Sequence, residues 1–164
     1  MVAGARTVAV ERVGRLCSHL TPAPVAAIGA GGDIGELEDI AAVRRVMEAY
    51  TEGTLTADVD KLKGIFHESA VMNGYIGTTM ALGSPKAFFD DMEKLAKKGQ
   101  SFKSRGFAYA GEMVSVAVYG NVATAVVQEK GYYGKLAFTD AFHLVKVDGQ
   151  WKIFSKLYSG APHA

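Results

Sequence analysis

An α+β domain is predicted by three observations on this chain of 164 residues. Apolar residues recur at helical spacing through the stretch from Asp33 to Lys97. From Glu112 to Tyr158 the pattern changes to consecutive strands, Met113–Val118, Asn121–Tyr133, Lys135–Val147 and Gln150–Tyr158. Tight-turn signals separate them: Tyr119-Gly120-Asn121, Tyr133-Gly134-Lys135 and Val147-Asp148-Gly149-Gln150. Helices first and an uninterrupted meander afterwards define α+β rather than alternating α/β.

The elements follow in order. Leu37, Ile40, Ala41, Val43, Val46, Met47 and Tyr50 form one apolar stripe, so Glu36–Thr51 is a helix. Asp33 caps it, with Glu36 at capping-box spacing, and Gly53 is expected to end it. A shorter helix over Asp58–Ile65 presents Val59, Leu62, Ile65 and Phe66, with Thr56 or Asp58 as cap. Phe66-His67-Glu68-Ser69-Ala70 leads into a strand at Val71–Tyr75, and Gly77 permits a return through Thr78–Leu82. Ser84 and Pro85 open a third helix to Lys97, with Phe88, Phe89, Met92 and Leu95 on its buried face. Phe102–Tyr109 is a loop or the beginning of the first long strand.

Composition narrows the partners. Apolar residues make up 49% of the chain and the formal charge is +1, so no basic surface exists for nucleic acid. The single cysteine, Cys17, excludes an internal disulfide and agrees with a reducing, cytoplasmic setting. No apolar run approaches the roughly 20 residues of a membrane helix, so no membrane is expected. Residues 1–32 differ from the rest: they are rich in Ala, Gly and Val, and broken at Thr21-Pro22-Ala23-Pro24 and Gly29–Gly32. Glu11, Arg12 and Arg15 interrupt any secretory core, so this is read as a flexible extension, with an Arg-bearing transit peptide as the alternative. The domain spans 33–160, and 161–164 is a C-terminal tail.

The meander is apolar on both strand parities. Val114, Val116, Val118, Val122, Ala123, Ala125, Val126 and Val127 do not alternate, nor do Phe138, Phe142, Leu144, Val145 and Val147. Near-continuous apolar runs imply that both faces are covered. Three helices are too few for that, and a second copy of the chain is the expected cover, giving a homodimer through the outer sheet face.

The order of elements resembles the nuclear transport factor 2-like (SnoaL-like) cone folds. Phe138-Thr139-Asp140 through Leu144-Val145-Lys146-Val147-Asp148-Gly149-Gln150-Trp151-Lys152-Ile153 is similar to the putative lumazine-binding branch, as is Val118-Tyr119-Gly120-Asn121-Val122-Ala123. The resemblance covers Asp33 to Gly160 and implies a curved, mostly antiparallel sheet with three helices packed on it, around a cone-shaped, mainly apolar pocket. Catalytic members of that superfamily place Asp, Tyr and His in the pocket for proton abstraction beside a carbonyl, dehydration or cyclisation.

Candidate residues are weighed against that expectation. Asp140 and His143 could form a base and its partner, but residues three apart on a strand point to opposite faces unless a bulge intervenes. Asp140 therefore reads as structural or as a dimer contact, and His143 as a packing or interface residue. His67 belongs to the loop entering the first strand, with contact at the pocket mouth as the alternative. The four histidines show no HxH or HExxH spacing, so no metal site and no cofactor are expected. Gly29-Ala30-Gly31-Gly32 lacks the preceding strand and parallel βαβ unit of a dinucleotide loop.

In a cone of this kind Tyr50, Phe66, Met72, Tyr75, Phe89, Met92, Tyr109, Glu129 and Trp151 would line the pocket, with Met80, Phe88, Phe107 and Tyr132 near them. Tyrosine hydroxyls and adaptable methionines suit a flat, partly polar organic ligand. Glu129, Lys130 and Lys156 could set opposite charges across neighbouring strands, or could form an exposed ion pair of little consequence. Three functions stay open: a dimeric small-molecule binder; a cofactor-independent isomerase, dehydratase or cyclase using a carboxylate or His base with a Tyr donor; and a pure association module. A carboxylate inside a closed pocket, within reach of a tyrosine, favours the enzyme over the binder.

Overall fold

The computed structural model describes residues 34–163. The elements are α1 (Ile34–Thr56), α2 (Val59–Ile65), β1 (Phe66–Ile76), β2 (Thr79–Ala81), α3 (Lys86–Lys97), β3 (Ala110–Tyr119), β4 (Val122–Tyr132), β5 (Leu136–Val147) and β6 (Gln150–Pro162). One six-stranded sheet has the order β2-β1-β6-β5-β4-β3. Every neighbouring pair is antiparallel except β1 and β6, which run parallel. The helices pack on one face of this sheet, and the core lies between them, centred on Val43, Met47, Tyr50, Leu62, Met92, Phe142 and Ile153. No helix among the described residues is long and apolar enough to cross a membrane.

The α+β class and the helix-then-meander order stand, and several boundaries move for physical reasons. The expected end of α1 at Gly53 is wrong, because the helix continues to Thr56. Gly53 lies against α2, where a Cβ would stand 2.8 Å from Leu62 Cγ, so this glycine permits helix contact rather than stopping a helix. The reversal comes four residues later. Ala57 takes a left-handed φ of 55°, and Asp58 N–H donates to Gly53 O at 2.9 Å. Asp58 then caps α2 by accepting from Lys61 N at 3.0 Å, whereas Thr56 is inside α1. The Asp33 cap and the extension expected over residues 1–32 fall outside the described residues.

The segment Phe66–Ala70 is strand rather than lead-in, joined to β6 across an irregularity between Phe66 and Val71. Pro85 takes the N-cap position of α3 without a side-chain cap, and Ser84 Oγ accepts from Lys86 N at 3.4 Å. The chain from Phe102 to Tyr109 is loop, and β3 begins at Ala110. Asp148 and Gly149 both carry positive φ, 49° and 76°, which is the primed hairpin turn their sequence announces. The expected tail beginning at 161 is also wrong for its first residues. Ala161 and Pro162 pair with Ala137 and Leu136, so β6 runs two residues further.

Two further irregularities shape the inner face. On β6, His143 pairs with Ser155 but Leu144 pairs with Ile153, so Phe154 is an extra residue. Before it, Trp151 and Ile153 point inward, and after it Lys156, Tyr158 and Gly160 do. On β4 the register slips between Glu129 and Tyr132. Gly131 sits in that slip with φ 75°, where any Cβ would collide with the Ala108 carbonyl. Through these two bulges, residues that simple alternation would send outward are turned to the helix side.

Candidate functional site

The inner face, α3 and the β1–β2 hairpin enclose a cavity of about 440 Å³. Its walls come from helices and strands alike: Tyr50 on α1, Met72 and Ile76 on β1, Phe88 on α3, and aromatic residues of β4 to β6. Tyr132, Phe138 and Tyr158 form a continuous edge-to-face wall, with ring centroids 5.2 and 6.0 Å apart. At the rim, Tyr133 donates its hydroxyl to Asp91 Oδ2 at 2.7 Å, beside Lys94.

The floor is charged. Glu129 and Lys156 line the cavity, with Asp140 behind them, and their exposures are 1%, 3% and 0%. Each arrives there by strand register. Asp140 pairs with Val127, two residues before Glu129, and with Tyr158, two residues after Lys156, so the three side chains are diagonal neighbours on one face. Lys156 Nζ stands 2.6 Å from Asp140 Oδ2 and donates to the Tyr50 hydroxyl at 2.5 Å. It also lies over the rings of Tyr50 at 4.8 Å, Tyr158 at 5.5 Å and Phe142 at 5.6 Å. Tyr109 donates to Glu129 Oε1.

Electrostatics follow from burial. Neither Asp140 oxygen has a well-directed hydrogen-bond donor, so its contact with Lys156 is an ion pair, with acceptor capacity unfilled. Burial pushes the Glu129 carboxyl up to about 7; the Lys156 charge opposes this, and the Asp140 charge adds to it. Asp140 is raised as well, first by burial, with Lys156 the strongest opposing influence. One proton held between the two carboxyl groups accords with both directions: carried by Glu129, it offers Asp140 a donor in addition to the Lys156 ammonium. Burial and the Glu129 charge hold the phenols of Tyr50 and Tyr109 well above their ordinary value, so both remain O–H donors.

Of the expected pocket residues, the structure brings Tyr50, Met72 and Glu129 to the cavity. Tyr109 is buried behind Glu129 and touches it without lining the space. The others are corrected. Tyr75 is 47% exposed, because Gly74 and Ile76 take the inward positions on β1. Phe66 and Phe89 pack edge to face at 5.3 Å beside a separate surface groove, and Met92 is plain core. Trp151 is buried near α1, where its indole N–H donates to Asp39 Oδ1 at 3.0 Å.

The expected dimer contact at Asp140 is also corrected, since that side chain is wholly internal. His143 lies exposed on the outer face, paired with Thr124 and Ser155, and so on the opposite side of β5 from Asp140. His67 is half-buried outside the cavity; its Nδ1 accepts from Ser69 N at 3.1 Å and its ring rests 5.5 Å from Phe154. The reading of Glu129 and Lys156 as an exposed pair is overturned, while Lys130 does face outward. Sequence reasoning missed Tyr133, Phe138 and Tyr158 as lining residues. A lysine and an acid on apolar strands were the available signal; the bulges at Phe154 and Gly131 hid which way the residues around them point.

A curved sheet closing over three helices around an inner cavity defines a nuclear transport factor 2-like cone fold. Solved structures agree. A nuclear transport factor 2-like protein of unknown function from Shewanella baltica is similar at 23% identity with a TM-score of 0.65, covering 77% of this chain and 97% of that one. Another, from Silicibacter pomeroyi, shares 25% identity with a TM-score of 0.63, covering 75% and 96%. A cystatin-like fold domain of unknown function from Nostoc punctiforme is similar at 15% identity and a TM-score of 0.55, covering 77% and 78%. No curated protein matches the chain. The family described as putative lumazine-binding matches residues 38–159, and the chain belongs to that family.

Proposed function

We propose that the protein binds a small organic ligand in the cavity above Glu129 and Lys156. One observation carries this reading: an aromatic-walled space of about 440 Å³ ends on two buried charged side chains, Glu129 and Lys156. Ligand sites combine those two features, an apolar wall for affinity and a few convergent polar groups for orientation. The family's description as putative lumazine-binding accords with a flat, partly polar occupant. The test is a thermal-shift screen of a small-molecule library, repeated on Leu136→Trp, which fills the cavity from β5. Hits that stabilise the natural protein and lose their effect in Leu136→Trp support the reading. Hits that persist unchanged, or a screen that returns none, count against it.

A second reading, a cofactor-independent isomerase, dehydratase or cyclase, is favoured by a cavity-lining Glu129 that accepts from the buried Tyr109 behind it and by its carboxyl poised at about 7. Glu129 would move the proton and Tyr50 or Lys156 would donate to developing oxygen charge. Turnover of a cavity ligand whose pH profile follows a group near 7, and which Glu129→Gln abolishes, is its signature.

The assembly proposed with it is a homodimer through the outer sheet face. Leu157, Ala141 and Val126 form a row across β6, β5 and β4 on that face, and Leu157 is 58% exposed. Small and apolar side chains in register let two sheets approach closely. The lone cysteine of the chain suits the cytoplasm, where we place it.

A further inference from the structure

We propose that the cavity selects an organic cation, a protonated amine or basic nitrogen heterocycle, held between the Glu129 carboxylate and the aromatic wall of Tyr132, Phe138 and Tyr158. This deepens the ligand-binding reading and rests on it. The charge balance of the floor is the first support. Two carboxyl groups, Glu129 and Asp140, face one ammonium, Lys156. At the rim Asp91 and Lys94 cancel, and the other titratable groups turned toward Glu129, namely Tyr50, Tyr109 and Tyr132, are neutral phenols. With every acid and lysine ionised, the cavity carries one negative charge in excess.

Lys156 is already committed. Its ammonium is 2.6 Å from Asp140, donates to Tyr50 and lies over aromatic rings, so an anionic ligand would meet a neutralised lysine beside an unneutralised acid. In the empty cavity the excess charge is relieved by the proton held between Glu129 and Asp140. A cation relieves it better. It replaces that proton, pairs with the carboxylate, and lies against the aromatic wall of Tyr132, Phe138 and Tyr158. Binding of an amine cation therefore releases a proton from the floor at pH values where Glu129 is protonated. The ligand-free site holds its proton; the cation-bound site does not.

The experiment uses three probes of one shape, benzylamine, benzyl alcohol and benzoate, titrated calorimetrically into the full chain. Benzylamine is expected to bind at least about tenfold tighter than benzyl alcohol at pH 8. Its affinity should weaken about tenfold on going to pH 6, with uptake of about one proton by buffer, given a Glu129 carboxyl at about 7. Benzyl alcohol should show neither effect. In Glu129→Gln, checked for folding by circular dichroism, the preference for the amine should vanish while benzyl alcohol still binds. Equal affinity for amine and alcohol, tightest binding of benzoate, or an amine preference that survives in Glu129→Gln would each overturn the cation proposal and leave ligand binding standing. Because the pH series uses the unsubstituted protein, a misfolded variant would not spare the proposal. Failure of all three probes to bind at about 10 mM would overturn the cation proposal, while the ligand-binding reading stands or falls on the library screen.

Discussion

Replacing Glu129 by glutamine keeps the shape of the cavity floor and removes its titration. The glutamine carbonyl can accept from Tyr109, and its amide can donate toward Asp140, as the protonated acid does. The folded-state carboxyl stands at about 7 against 4.5 for an ordinary glutamate, so the native state binds one more proton than the unfolded chain between those values. Stability from this group is therefore complete below about 4.5, falls as pH rises through the window, and is lost above about 7. At about 1.4 kcal/mol per pH unit, that interval corresponds to about 3 kcal/mol. For a domain of this size the cost is roughly 10 °C in melting temperature. Thermal melts of both proteins from pH 4.5 to 8.5 provide the assay, read as the difference between them so that shared titrations cancel. Glu129→Gln should match the natural protein near pH 4.5 and exceed it by roughly 10 °C near pH 8. A difference that stays flat, or one in which the natural protein gains with pH, would refute the buried, proton-holding carboxyl.

Three other outcomes follow from the same geometry. Lys156→Met leaves Asp140 internal without its cation and should cost about 3–5 kcal/mol in urea denaturation, with part of the loss recovered in Lys156→Met/Asp140→Asn; strictly additive losses would mean the pair is not coupled. Gly131→Ala forces a side chain into a left-handed position against Ala108 and should lower stability by about 1–3 kcal/mol while weakening cavity ligands; an unchanged melting temperature would place the bulge elsewhere. Leu157→Lys puts a charge in the outer-face row and should convert a dimer to a monomer in light scattering, whereas a natural protein that is monomeric at micromolar concentration removes the dimer proposal.

Much of the fold could be read in advance because local patterns and tertiary demands coincide. The stripe of Val43, Met47 and Tyr50 is the face that α1 buries, and Asp148-Gly149 is the turn that joins β5 to β6. Where they diverge, packing decides. Gly53 carries a stop signal, yet its lack of a side chain serves the approach of Leu62 and the helix continues. The opposed faces of Asp140 and His143 follow from strand parity on an unbulged stretch of β5, and the sequence suffices there.

The cavity floor was legible only in part. Glu129 and Lys156 stood out as charges on apolar strands, and an exposed pair was a fair expectation, since most such pairs are solvated. Their joint burial depends on the extra residue at Phe154, which turns Lys156 inward, and the slip at Gly131 brings Tyr132 to the wall beside Glu129. A bulge adds a residue to one strand according to what its neighbour needs, and that neighbour lies far away in the chain. Element order and turn chemistry were thus determined by the sequence alone, because each is a local property of a few adjacent residues. The meeting of two acids, one lysine and two tyrosines on a single floor was decided by the tertiary structure, because register shifts between distant strands choose which side chains share a face.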